Sequence, residues 1–250
     1  MKWRHLVVAS DGSGPGMHAV EVATALGASR ALRITVVTVL EEGKAVPAPL
    51  FPYRPVILRG NPGVEIARYA DQWRADVVIL GRRAIPHGIE FELGPTAESV
   101  VCRSSVPCLL IPEGQRDFAH IIVALDGTQR GFIVLDAAEQ LHHLVNGGLE
   151  VVTVEPPDPA GAAPIPRPRT MRLAEELAFR FRSGDGPFPE LQVRAGEPVT
   201  VLREELRHPG SDLLVVGAHR GGARGKPLDS TGVGKSLVHS VVSAILTVPL

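Results

Sequence analysis

The sequence predicts an α/β protein made of two tandem doubly wound parallel-sheet domains. Three observations predict it. An apolar run ending in a tight turn occurs twice: His5-Leu6-Val7-Val8-Ala9-Ser10 runs into Asp11-Gly12-Ser13, and His120-Ile121-Ile122-Val123-Ala124-Leu125 into Asp126-Gly127-Thr128. A short, wholly apolar run closed by Asp-Gly-Ser/Thr reads as a buried strand entering a turn. An amphipathic segment follows each copy, from Met17 to Leu26 and from Phe132 to Leu144. Finally, the spacings repeat. Asp11 to Asp126 and Val39 to Val154 are each 115 positions apart, whereas Gly60 to Gly196 and Gly81 to Gly217 are each 136. The change of 21 falls between the second and third strands, where the second half has room for one more helix. A constant offset on both sides of one insertion indicates duplication, with domains at 1–113 and 118–250 and a short polar connection at 112–119.

Taken in order, the first half alternates strands and helices. Strands are expected at 5–10, 33–40, 55–59, 76–80 and 107–111, the second rich in β-branched residues. Helices are expected at 16–28, after Gly60-Asn61-Pro62 with proline in the first turn, and from Gly94-Pro95-Thr96 to about 103. In the third-strand helix the apolar positions Val64, Ile66, Ala67, Ala70 and Trp73 have near-helical spacing. Residues 42–53 contain Pro47, Pro49 and Pro52 and are expected to lack a helix. The second half repeats the pattern, with strands at 121–125, 149–154, 191–195, 212–216 and 244–248. Its helices are expected at 129–145, closed by left-handed residues in Asn146-Gly147-Gly148, at 169–182, after Gly196-Glu197-Pro198, and at 232–240. Met17 and Met171 read as core fillers.

Composition excludes several classes. At 250 residues, 44% hydrophobic and 21% charged, the chain can bury a sizeable core. A net charge of −1 gives no basic excess for nucleic acid. No apolar run reaches the ~18 residues of a membrane span, and no signal peptide is apparent. Cys102 and Cys108 lack metal-ligand or Cys-x-x-Cys spacing, and Cys108 reads as a small core residue. A reducing cytoplasm fits best. No Ser/His/Asp set, paired carboxylates or metal cluster emerges.

The candidate chemistry lies at the carboxyl ends of strands, where open α/β sheets bind ligands. Asp11 and Asp126 stand there. So do two glycine-bearing loops after the fourth strands: Gly81, Ala84 and Gly94-Pro95-Thr96, then Gly217-Ala218-His219-Arg220-Gly221-Gly222 and Ser230-Thr231-Gly232-Val233-Gly234-Lys235-Ser236. Glycine lets backbone N–H groups approach an anion. Plainer readings stand beside these: Asp as a helix cap, and the loop as a surface connection. Gly232-Val233-Gly234-Lys235-Ser236 is not a Walker A motif, because position 229 is Asp and the preceding strand ends at 217.

With these residues in view, the chain resembles the universal stress protein family in its tandem form, across nearly all of both halves. The resemblance implies the family's adenine-nucleotide alpha-hydrolase-like fold. ATP-binding members carry Gly-x2-Gly-x9-Gly-(Ser/Thr) after strand four, an aspartate after strand one and a valine at the end of strand two. By position these are Asp11 and Val39, and Asp126 and Val154. The first half keeps the spacing, but Ala84 replaces a glycine and Pro95 the hydroxyl residue, and Glu90 and Glu92 oppose a triphosphate. The second half is richer in glycine and in cations (Arg220, Arg224, Lys226, Lys235), with its register shifted.

The resemblance therefore implies ATP or a related adenine nucleotide as ligand, with Mg a possible companion. The second half is the favoured seat: Asp126, Gly127, Thr128, Val154, Gly217, Arg220, Gly221, Gly222, Gly232, Gly234, Lys235 and Ser236. Weaker first-half candidates are Asp11, Gly12, Ser13, Val39, Gly81, Ala84, Gly94 and Thr96. The alternatives are a nucleotide-free interaction protein of the same fold, and a slow ATP hydrolase using Lys235, Ser236 or His219. The apolar last strands, Leu109-Leu110-Ile111 and Ile245-Leu246-Thr247-Val248, are expected to pair the two halves as an internal pseudo-dimer and so cover exposed edges; a further homodimer is open.

Overall fold

The computed structural model describes residues 2–41, 43–83, 93–157, 168–182, 189–206, 213–218 and 233–250. The first half contains β1 (His5–Ala9), α1 (Gly14–Arg30), β2 (Arg33–Leu40), β3 (Val56–Arg59), α2 (Pro62–Gln72), β4 (Val77–Arg82), α3 (Pro95–Arg103) and β5 (Cys108–Pro112). The second contains β6 (His120–Ala124), α4 (Gly131–Val145), β7 (Gly148–Glu155), α5 (Pro168–Arg180), β8 (Glu190–Ala195), α6 (Pro198–Glu205), β9 (Leu213–Ala218), α7 (Val233–Ser240) and β10 (Ala244–Pro249).

The ten strands form one sheet, ordered β3-β2-β1-β4-β5-β10-β9-β6-β7-β8. Each half repeats the same doubly wound order with parallel neighbours. The join is different. β10 pairs antiparallel with β5, setting Ile245 opposite Leu110, Leu246 opposite Leu109 and Thr247 opposite Cys108. The two last strands thus meet as expected, but by backbone pairing within one continuous sheet. Because the halves run in opposite senses, their carboxyl ends lie on opposite edges of that sheet.

Alternation along the strands divides the core in two. Leu6, Val8, Ile79, Leu109, Ile121, Val215 and Leu246 face α1, α4 and α5. Val7, Val78, Leu110, Ile122, Leu214 and Ile245 face α2, α3, α6 and α7. Both clusters contain residues of both halves, so burial on either face ties the halves together. Among the described residues, no helix is long and apolar enough to cross a membrane.

Several local features sharpen or correct the sequence expectation. Neither Asp11 nor Asp126 caps a helix: Ser13 is the N-cap of α1, and α4 starts after Arg130 with no side-chain cap. Instead each aspartate accepts the N–H two residues on, Ser13 to Asp11 at 3.0 Å and Thr128 to Asp126 at 2.9 Å. That is the Asx turn that lets a strand reverse into a helix. At the end of α4 only Asn146 is left-handed, with φ 58°. Gly147 is needed for space, since a Cβ there would stand 2.1 Å from the Phe118 carbonyl oxygen. Residues 48–53 form a short 3-10 helix and no α-helix. β4 and β9 each continue one residue past their glycine. Met17 packs against the core, but Met171 is exposed, because Leu173 and Leu177 are the residues α5 turns inward. On α2, Ile66, Ala67 and Ala70 are buried, while Val64 lies on its open side and Trp73, just past its end, is also exposed.

Candidate functional site

Each half has a crevice at the carboxyl ends of its own strands. In the first half, β1 ends in the turn Ser10-Asp11-Gly12. The Gly12 N–H donates to Ser10 Oγ at 3.1 Å, and Gly12 has φ 79°, a conformation that favours glycine. This turn delivers Asp11 and the N-terminus of α1 to the rim. β2 delivers Val37 and Val39, and β4 delivers Gly81. The N-terminus of α3, at Gly94, Pro95, Thr96 and Ala97, closes the opposite side. The enclosed volume is about 680 Å³.

Gly81 is required there: a Cβ would lie 1.9 Å from the Pro15 carbonyl oxygen, where α1 crosses β4. The first turn of a helix has backbone N–H groups with no helical acceptor and carries positive partial charge. α3 has no side-chain cap, so the N–H groups of Thr96 and Ala97 have neither a helical acceptor nor a capping side chain among the described residues, while Pro95 supplies no N–H. Exposed Arg83 adds a cation at the rim. Asp11 uses Oδ1 for its turn. Among the described residues, its other carboxylate oxygen has no hydrogen-bond donor.

The second crevice has the same plan with other walls. Asp126, Val152, Val154, Gly217, Val233 and Gly234 line it, about 360 Å³ in volume. Thr128 donates both its N–H and its hydroxyl to Asp126 Oδ1, at 2.9 and 2.7 Å. The C-terminal Leu250 intrudes: its side chain packs on Gly217, where a Cβ would come within 2.5 Å of Leu250 Cδ1. The described part of this crevice is therefore smaller and more apolar.

Of the residues singled out from sequence, Asp11, Ser13, Val39, Gly81, Gly94 and Thr96 line the first crevice, and Asp126, Val154, Gly217 and Gly234 the second. Gly12, Gly127, Thr128 and Ser236 do not line either; the first three build the turns, and Ser236 is exposed on α7. Ala84, Glu90, Glu92, His219, Arg220, Gly221, Gly222, Arg224, Lys226 and Gly232 lie outside the described residues, as does the side chain of Lys235. Sequence reasoning missed Arg82, Arg83, Ile66 and Val238 in the first crevice and Leu250 in the second. Arg83 and Ile66 had a local signal, the first beside Gly81 and the second on the apolar stripe of α2. Val238 and Leu250 had none, because they come from elements remote in sequence.

Arg82 is the unusual group. Burial pushes its guanidinium pKa down to about 10, still charged at neutral pH. It donates to the carbonyl oxygens of Val238 at 3.4 Å, of Ser243 at 2.5 Å, and of Val241, all in the other half. Among the described residues, no group of three or more His, Cys, Asp or Glu is placed to hold a metal ion.

A sequence model of the Universal stress protein family matches residues 44–112 and 117–248. The chain belongs to this family. Its two matches correspond to the two halves of the sheet, so it is a tandem universal stress protein. The first match begins after β2, yet β1 and β2 complete the same order in both halves. Solved structures share the fold over the whole chain. A universal stress protein from Archaeoglobus fulgidus DSM 4304 has a TM-score of 0.75 at 14% identity, over 100% of this chain and 99% of that one. A candidate universal stress protein from Pseudomonas aeruginosa UCBPP-PA14 has 0.71 at 12%, over 99% and 93%. A functionally unknown protein, PA1789 from Pseudomonas aeruginosa PAO1, has 0.66 at 13%, over 99% and 92%. No curated protein matches the chain.

Proposed function

We propose that this universal stress protein binds an adenine nucleotide in the first-half crevice, acting as a nucleotide-dependent stress or signalling module rather than as a fast enzyme. The observation that carries this is the crevice itself: about 680 Å³ bounded by the Asp11 turn, Val39 and the uncapped start of α3. Pockets that enclose small ligands are of this size, with mostly apolar walls and a few fixed polar groups. Val37, Val39 and Ile66 supply an apolar wall for the base. The spare oxygen of Asp11 would accept from a ribose hydroxyl. Gly81, the Thr96 and Ala97 N–H groups and Arg83 would hold the phosphates. Mg would come with the phosphates, since the described residues offer no metal cluster of their own.

Sequence alone favours the second half, where Arg220 and Lys235 bring charge. The described geometry favours the first, whose crevice is the larger and more polar of the two. Calorimetric titration with Mg-ATP separates the two. Losing one charged hydrogen bond costs about 1.5–3 kcal/mol, at least tenfold in affinity. Asp11→Ala is therefore expected to weaken binding at least tenfold and Asp126→Ala to change it little. The reverse pattern moves the site to the second half. No heat at millimolar Mg-ATP refutes the nucleotide reading and leaves the interaction protein of the same fold. Turnover well above background would make the chain a hydrolase.

A further inference from the structure

We infer that α7 couples the two crevices, with Arg82 as the latch that joins it to the first. The inference rests on the nucleotide reading of the first crevice. Its starting point is topology. The halves run in opposite senses, so the two crevices open on opposite edges of the sheet. α7 follows β9 and precedes β10, and so runs from one edge to the other; its 8 residues span ~12 Å. Its first residues, Val233 and Gly234, wall the second crevice, and Val238 near its other end walls the first. The first crevice is therefore completed by the second half of the chain.

Two contacts make α7 a rigid connection. At its start, a Cβ on Gly234 would lie 2.3 Å from the Gly217 carbonyl oxygen, so the helix is seated on the end of β9 without slack. At its end, Arg82 donates to the carbonyls of Val238, Val241 and Ser243. A cation suits the negative end of a helix, and the guanidinium joins Val238 in the last turn of α7 to Val241 and Ser243 just beyond it. Between these ends, Leu237 and Val238 are fully buried. Arg82 lies between Gly81 and Arg83, both of which line the first crevice. A ligand that shifts the end of β4 must displace or tighten this latch, and α7 carries the change to Val233 and Gly234. Ala218 stands at the position matching Arg82 in the other half and has no group to make the reciprocal latch. Among the described residues, one connection of this kind joins the crevices. By linkage, filling either crevice alters the other.

Hydrogen exchange over residues 213–218 and 233–240 of the whole chain tests this, with calorimetry on the same samples reporting whether Mg-ATP binds. In the wild type, saturating Mg-ATP should slow exchange at 233–240 at least fivefold. Without nucleotide, Arg82→Gln should speed it at least tenfold. Arg82→Lys, which keeps the charge but loses the fork, should fall between, and it carries the comparison should Arg82→Gln not fold. Heat of binding with unchanged exchange at 233–240 overturns the coupling and leaves the nucleotide reading standing. An absence of heat removes the nucleotide reading. The latch is then judged without ligand, and wild-type exchange rates in the Arg82 variants overturn it.

Discussion

The seam between β5 and β10 should be read out by the coupling of leucines across it. Leu109, Leu110 and Leu246 are each fully buried. Truncating any of them to alanine should cost about 2–5 kcal/mol, the transfer term plus the cavity left behind. The register makes a sharper statement. Leu109 and Leu246 are directly opposed and belong to the same side of the sheet, whereas Leu110 belongs to the other side, with Ile245. In urea unfolding, the Leu109→Ala/Leu246→Ala pair should therefore deviate from additivity by about 0.5 kcal/mol or more, as contacting residues do. The Leu110→Ala/Leu246→Ala pair, with side chains on opposite faces, should add to within about 0.5 kcal/mol. Val242→Ala, 63% exposed at the entry to β10, is a near-silent control. Equal coupling in both double mutants would refute this register. Two separate transitions, with only one moved by Leu246→Ala, would refute the shared core.

Two further outcomes concern pH. His5 opens β1, at the end of the strand away from the crevice, its Nδ1 donating to the Trp73 carbonyl at 3.2 Å and its Nε2 accepting from the Thr35 hydroxyl at 2.9 Å. Burial and then the charge of Arg33 hold its pKa below the ordinary 6.5, against the Trp73 carbonyl and Asp76. The folded state thus binds fewer protons than the unfolded one just below that value, so stability falls as pH drops from about 6.5 toward the native pKa. The urea-midpoint advantage of wild type over His5→Gln should shrink across that window; a difference that stays constant from pH 7.5 to 5 would contradict this. Glu197 caps α6, accepting from the N–H groups of Thr200 at 2.7 Å and Val199 at 3.1 Å, which lower its pKa from 4.5. Glu197→Ala should cost about 0.5 kcal/mol at neutral pH, the low end for an exposed cap. That contribution is present above about 4.5 and is lost as pH falls through the lower native value, so denaturation midpoints of the two proteins should converge once the pH lies below that native value if the cap is what Glu197 provides.

What the sequence determined by itself is local or periodic. Apolar runs such as Ile121-Ile122-Val123 specify strands because both their faces must be buried. Asp-Gly followed by Ser or Thr specifies the turn at each strand end, because the aspartate can hold the next N–H groups and glycine can take positive φ. The offsets of 115 and 136 expose the duplication, because a repeated fold keeps its spacings wherever nothing is inserted. Even locally, alternatives with the same chemistry could not be told apart. Aspartate serves equally as helix cap or Asx turn, and only the structure gave the cap of α1 to Ser13. Met171 sits on a helix whose apolar stripe is real, but which of its sides is covered depends on elements far away in the chain. That the last strands pair is legible in the sequence, but the tertiary structure alone decided that they do so antiparallel, making one continuous sheet through β5 and β10. It alone placed Val238 in the first crevice, Leu250 in the second and Arg82 at the end of α7. These contacts join residues as far as 161 positions apart. They depend on the sense in which the halves meet, and no periodicity or short motif encodes that, since the same strands could have paired in either direction.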